Sequence, residues 1–238
     1  MPKVEPIERK NTDRSVPVHT PLSRSFFARD PRRVARELLG KVLVREDLGV
    51  RLTARIVEVE AYLGGKDPAS HSFAGRTLRN AVLFGPPGYA YVYFIYGNHY
   101  CLNVSCEKEG KAGGVLFRAV EPLTGIDEMA RARGIAINRP TDLPKLTSGP
   151  GRMAEAFGIT RARDNGCDFT SEKSSLWIGE DGYRARRIRA TPRIGIVKAA
   201  ERPLRYILDG NPFVSGPKMW PRVVLSDPKT LPTQRLRA

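Results

Sequence analysis

The chain has no apolar run long enough to span a bilayer. Its first residues mix charges of both signs with Pro2 and Pro6 around no apolar signal core, so they read as a flexible arm rather than a secretion signal. Cysteine is scarce. Cys101, Cys106 and Cys167 are an odd number with no Cys-x-x-Cys spacing, which argues against a disulfide framework and fits a reducing, cytoplasmic compartment. Internal repeats and low-complexity tracts are missing too. Negative charge is in short supply: 25 Asp and Glu face 40 Lys and Arg, a formal charge of +15. Such a surplus points to a polyanionic partner, with nucleic acid ahead of a membrane surface. It is densest from Tyr183 to Ala238, where 13 Lys and Arg meet only Glu201, Asp209 and Asp227. That stretch reads as a phosphate-facing surface, the alternative being a solvated charged face.

What is present suffices for one domain. With 238 residues and 41% hydrophobic content the chain can bury a large core without disulfide or metal. Residues 1–22 are polar and unpatterned and predict a flexible arm; 23–216 form the ordered body; 217–238, with several prolines, predict a loosely docked or disordered tail. Asp30-Pro31 followed by Val34, Ala35, Leu38, Leu39 and Gly40 predicts a capped amphipathic helix. Val42 to Arg45 and Thr53 to Tyr62 predict strands joined by a turn at 46–49. Tyr89 to Tyr96 and His99 to Ser105 predict a protruding β-hairpin closed by Gly97-Asn98. Val115 to Val120 predicts another strand, Thr124 with Asp127 a capping pair for a helix ending at Gly134, and Ser148 or Gly149 a helix start with Gly158 as its stop. Arg186 to Val197 and Leu204 to Leu208 predict the last strands. The expected fold class is α+β: a mixed, mainly antiparallel sheet with short helices.

The chemistry concentrates in Arg55-Ile-Val-Glu-Val-Glu-Ala-Tyr62. Alternation along a strand puts Val57, Val59 and Ala61 on one face and Glu58, Glu60 and Tyr62 on the other. Two carboxylates on one face are costly to desolvate, so that face borders solvent or lines a polar cleft, and the cleft is the working reading. A Glu poised over water is the minimal apparatus for hydrolysing a glycosidic bond; the bland alternative is a surface Glu paired with an arginine. His71 follows within a dozen residues, on a loop marked by Gly64, Gly65 and Pro68. In the hairpin, Tyr91, Tyr93, Phe94, Tyr96 and Tyr100 supply rings that can stack on bases or wedge a duplex, although aromatic strands also build plain cores. Thr147 to Arg152 offers backbone N–H groups at a helix start, or simply caps it. The spacings of His71, His99, Cys101 and Cys106 match no zinc pattern, so no metal is expected.

These segments carry a resemblance. Arg55 to Gly64 with Asp67 and His71-Ser72, Tyr91-Val-Tyr-Phe-Ile-Tyr-Gly97 with Asn103, Arg118-Ala-Val-Glu-Pro122, Ser148-Gly-Pro150 and Arg202-Pro-Leu-Arg205 together resemble the alkyladenine (3-methyladenine) DNA glycosylase family over about residues 23 to 216. The resemblance implies a single domain without a helix-hairpin-helix element, acting as a monomer on double-stranded DNA that holds damaged purines, with no cofactor. It implies Glu60 as general base, Arg118 holding the catalytic water, Tyr62 and His71 on one side of a flipped base, Tyr93 as the other wall, and Asn103 as a pocket residue that helps reject guanine's amino group. Tyr96 matches the residue that fills the gap in the duplex. Asn98 stands beside it at the hairpin tip, where many relatives carry a bulky methionine. The segment Arg193-Ile-Gly-Ile196 resembles one whose backbone carbonyl also holds the water. No lysine stands out as a Schiff-base nucleophile, so no strand-cleaving step is expected. The competing classes are a non-catalytic nucleic-acid module and, less suited to so basic a chain, a nucleosidase acting on free nucleosides.

Overall fold

Helix formation near the start follows the local code. Asp30 Oδ1 accepts the Arg32 N–H at 2.8 Å, Pro31 occupies the first turn, and Val34, Ala35 and Leu38 are buried on one face. Gly40, at φ 89°, then reverses the chain. A computed structural model describes residues 20–216. In chain order its elements are β1 (Thr20–Pro21), α1 (Arg24–Phe27), α2 (Pro31–Leu38), β2 (Val42–Asp47), β3 (Val50–Tyr62), β4 (Ala90–Ile95), β5 (His99–Ser105), β6 (Gly114–Thr124), α3 (Ile126–Arg133), α4 (Pro144–Thr147), α5 (Pro150–Ala156), α6 (Arg161–Asp164), β7 (Leu176–Glu180), β8 (Ile188–Thr191) and β9 (Arg205–Leu208), with short 3-10 turns between. The fold is α+β. Its antiparallel sheet runs β1-β7-β2-β3-β6-β5-β4, and β9 and β8 join on the β2 side of β3.

The long strand β3 positions the site, and a β-bulge decides how. Along one edge β2 pairs with Val50 to Arg55 and β9 takes over from Glu58 to Glu60; on the other edge the β6 register slips on either side of Glu58. The slip changes the phase of alternation. Leu52, Ala54 and Ile56 point into the main core before it, and Val57, Val59 and Ala61 after it. Glu58, Glu60 and Tyr62 therefore share the opposite face, as the alternation predicts. The core between the sheet and α2, α3 and α5 includes Phe27, Leu38, Phe117, Met129, Met153 and Phe157, all essentially inaccessible. Each such residue contributes ~1.5–3 kcal/mol of hydrophobic stabilisation.

Several expectations need correction. The turn after β2 is Leu48-Gly49 alone, because Glu46 and Asp47 still pair with Arg51 and Val50. The hairpin β4–β5 closes one residue early: Tyr96 (φ 54°) and Gly97 (φ 73°) are its left-handed residues, and the Asn98 N–H reaches Ile95 O at 3.4 Å. Thr124 caps nothing; it ends β6 with its hydroxyl 2.9 Å from that of Thr53, and Gly125 precedes α3. Gly134 and Gly158 do end their helices at positive φ. Only Ile188–Thr191 of the expected strand 186–197 is a strand, since Pro192 cannot donate to a ladder and the chain turns into a loop. Strand β7 was not anticipated. Thr20 and Pro21, assigned by composition to the arm, pair with it, and Leu22 is buried. The remaining arm and the tail 217–238 lie outside the described residues. Among the described residues no helix is long and apolar enough to cross a membrane.

Candidate active site

The two carboxylates on β3 have different fates. Glu58 is fully buried and fully engaged: Oε1 accepts from Arg205 Nε at 2.6 Å, Arg118 Nε at 2.8 Å and Ser215 Oγ at 3.0 Å, and Oε2 accepts from Ser215 N at 2.6 Å. Arg205, also buried, donates onward to Thr191 Oγ1 and Ser215 O. Glu58 is thus a structural anchor rather than a wall of the cleft. It fixes Arg118 and docks the chain at Ser215 onto the sheet.

Glu60 is inaccessible too, but its partners reach the cleft. Tyr62 Oη donates to Oε2 at 2.9 Å, Ile194 N–H donates to Oε1 at 2.9 Å, and Arg118 Nη1 lies 3.1 Å from Oε1. Tyr62, Arg118 and Ile194 all line the cleft above. Burial raises the Glu60 carboxyl above its ordinary value, opposed by Arg118, the Ile194 N–H and Tyr62. Burial, with Glu60 next to it, also pushes the Tyr62 phenol up, so it stays protonated as a donor.

The cleft, about 470 Å³, is lined by Tyr62, His71, Tyr93, Tyr96, Asn103 and Arg118 among others. Six of the eight residues singled out for the site thus share one wall system. Glu60 lies directly beneath it. Asn98 is exposed at the hairpin turn and does not reach the cleft. Partial burial, then the nearby Arg79, holds His71 below its ordinary value, and its Nδ1 is 3.1 Å from Tyr91 Oη. The expected slot between His71 and Tyr93 is closed here, with ring centroids 4.5 Å apart at 69°. Admitting a stacked base between them takes about 7 Å, twice the base-stacking step, so one ring must move. Asn103 Nδ2 donates across the hairpin to Tyr91 O at 3.1 Å. Tyr96, at positive φ and 79% exposed, stands at the rim. A non-glycine residue held there without burial points to a role outside the fold.

Other contributors carry sequence signals but take their roles only from the fold. Arg193 and Asp67 form a fully buried two-pronged ion pair at 2.5 and 2.8 Å, and the Arg193 guanidinium lies 4.6 Å from the Tyr62 ring centre. Together they tie the loop after β3 to the loop after β8, which delivers the Ile194 N–H. The sequence signalled the loop 193–196 but for a carbonyl. The turn 148–152 joins the site by pairing with β6, Gly149 N–H donating to Arg118 O at 3.1 Å, and Gly151 packs so close to His99 that a Cβ would sit 2.8 Å from its Cγ. His71, His99 and Cys101 line the cleft while Cys106 lies in the main core. Among the described residues no three His, Cys, Asp or Glu side chains converge as metal ligands.

Comparison with known proteins bears on this arrangement. The family profile for methylpurine-DNA glycosylase matches residues 25–212. A relative from Koribacter versatilis is 62% identical over 196 residues, spanning 82% of this chain and 93% of the relative. One from Rhodopseudomonas palustris strain BisB18 is 50% identical over 196 residues, spanning 82% and 91%, and one from Alkaliphilus oremlandii 46% over 204 residues, spanning 82% and 98%. All three are provisionally named 3-methyladenine DNA glycosylases.

Proposed function

The chain belongs to the methylpurine-DNA glycosylase family, hydrolases of DNA base excision repair, and from that premise we propose that it excises alkylated or deaminated purines, of the 3-methyladenine, 7-methylguanine, hypoxanthine and ethenoadenine class, with a water activated by Glu60. It acts as a monomer on duplex DNA in the cytoplasm or nucleoid. The target C1′ is inaccessible inside a stacked duplex, so the nucleotide is first extruded, at a cost of a few kcal/mol that is lower for a damaged base. Tyr96 fills the vacated space. The purine stacks between Tyr93 and the side formed by Tyr62 and His71, for ~1–3 kcal/mol, once His71 has moved aside.

Glu60 then takes a proton from a water that Arg118 helps to hold, and the water adds to C1′ as the bond to the base breaks. The departing purine leaves with the bonding electron pair. A carboxylate whose affinity for protons is raised by burial is a stronger base than one in water, and Arg118 steadies its ionised form. No lysine lines the cleft among the described residues, which favours an intact abasic strand as product.

The observation that carries this reading is one carboxylate beneath an aromatic cleft, bonded to Tyr62, Ile194 N–H and Arg118. The test is incubation with a duplex holding one hypoxanthine or ethenoadenine, followed by alkali to break any abasic site. Wild type gives the cut strand; Glu60→Gln binds the lesion duplex and gives none. Full activity of Glu60→Gln would overturn the assignment.

A further inference from the structure

The mechanism leaves unused a second, basic cleft. It has a volume of about 720 Å³ and is lined by Tyr183, Arg184, Arg186, Arg187, Asp209 and Asn211 among others. Arg184, Arg186 and Arg187 are exposed, and among the described residues their side chains take part in no salt bridge or hydrogen bond. The one acid of the cleft, Asp209, is already paired with Arg189. Tyr183 is a fixed platform beside them. The Arg55 guanidinium lies 4.0 Å from its ring centre, Arg55 is itself clamped by both oxygens of Asp181, and the absence of a side chain at Gly40 lets the ring dock. Tyr183 nonetheless keeps 47% of its surface exposed.

Strand register puts Arg187 and Asp209 of this cleft on the side of the sheet that holds the catalytic carboxylate. Thr191 pairs with Arg205 and Arg205 with Glu60; Arg189 pairs with Ile207 and Ile207 with Glu58. Side chains directly opposite on paired strands share a face, so Arg189 and Thr191 lie on the Glu60 side. Arg187 comes two residues earlier, where its carbonyl still accepts from Asp209 N–H at 3.0 Å. Four residues separate Arg187 from the Glu60 rung, about 13 Å at the strand rise, which is about four base steps along one DNA strand.

We propose that Arg184, Arg186 and Arg187, with Tyr183, form a contact for the phosphodiester backbone of DNA flanking the lesion, about four base steps from the extruded nucleotide. Free guanidinium groups beside an aromatic ring match nucleic-acid backbone, and phosphate contacts set register without reading sequence. This inference rests on the function proposed above, so its test separates the two. The triple change Arg184→Gln, Arg186→Gln, Arg187→Gln is compared with wild type for binding to a long undamaged duplex over a salt titration. Every phosphate that is no longer neutralised lowers the slope of log affinity against log salt by ~0.9, so the slope falls by ~0.9 to ~2.7. Excision of hypoxanthine by saturating enzyme in a single turnover stays unchanged. When the lesion sits close to one end of a duplex, the binding defect disappears for one of the two ends and persists for the other.

The triple change to lysine retains the salt slope, because a point charge suffices for phosphate; a slope reduced by lysine as much as by glutamine overturns the proposal. So does an unchanged slope for the glutamine variant, or a defect equal at both ends. If that variant excises normally with no binding change, the flanking contact fails and the glycosylase reading stands. If wild type excises nothing, both fail.

Discussion

Glu58 and Glu60 sit two residues apart on one face of β3, yet their neighbours give them opposite tasks. Glu58 meets two arginines and the Ser215 backbone, so its charge is neutralised and immobile. Removing it strands Arg205 as a buried charge beside neutral partners and leaves Arg118 with Glu60 as its only carboxylate among the described residues. Glu58→Ala is expected to cost ~3–5 kcal/mol in denaturant unfolding, the usual penalty for breaking a buried pair. Glu60 is held less completely. Burial, the main cause, holds its carboxyl above the ordinary carboxylate value in the folded protein. A raised carboxyl stabilises the fold below its unfolded value, and that contribution is lost as pH rises through the folded value. At neutral pH the wild-type enzyme therefore carries the cost of an ionised Glu60. Glu60→Gln is expected to melt higher at pH 7, by ~1 kcal/mol as is common for active-site replacements, with the gain shrinking as pH falls. A lower melting point at pH 7, with equal values in acid, would contradict the sign. Arg118 opposes the rise, so the acid limb of excision rate against pH should move to higher pH in Arg118→Gln.

At the scale of elements, the hairpin β4–β5 shows structure giving way to use. A tyrosine at φ 54° occupies a left-handed position that costs a non-glycine residue ~1–2 kcal/mol, and its exposed ring returns little burial. Asparagine tolerates that conformation better. Tyr96→Asn is expected to leave unfolding stability equal or up to ~1 kcal/mol higher while slowing excision from a fully paired duplex. A loss of stability would mean that the ring supports the fold instead. Much of this element was legible: β-branched and aromatic runs around a glycine announce a hairpin. Gly97 and Asn98 do lie in the turn, but the register Ile95 to His99 adds Tyr96 as its first residue, and the positive φ falls on Tyr96 and Gly97. Helix α2 was legible because cap, proline, apolar stripe and glycine are all local. The bulge in β3 was not. It arises where β9 replaces β2 as partner, and β9 lies far along the chain. The anchoring role of Glu58 was hidden for the same reason, since Arg205 and Ser215 are remote in sequence. The residue pattern singled out Glu60, Tyr62, His71 and Arg118, which the fold gathers at or beneath one cleft, but not the Ile194 N–H, because a backbone donor leaves no mark in residue identity.

For the molecule as a whole the surplus of +15 sets two opposing responses to salt. Most buried acids are already committed: Asp67 to Arg193, Asp164 to Arg45 and Glu58 to Arg118 and Arg205. The unmatched charge is therefore on the surface, where Arg79, Arg152, Arg161 and Lys198 are exposed as well as the basic cleft. Exposed like charges repel, and salt screens them over a Debye length of about 8–10 Å near physiological strength. Free protein should melt higher as salt rises from low to moderate concentration. DNA acts the other way, because a ligand bound only by the folded state stabilises it in proportion to the logarithm of its concentration over Kd, and Kd weakens steeply with salt. Melting with and without an excess of undamaged duplex should give two curves that converge as salt increases, the free curve rising and the bound curve falling. If the surplus were merely a solvated face with no polyanion to meet, the duplex would shift neither curve at any salt concentration. Parallel curves would instead assign the binding to contacts that release no counterions, which so basic a surface does not provide.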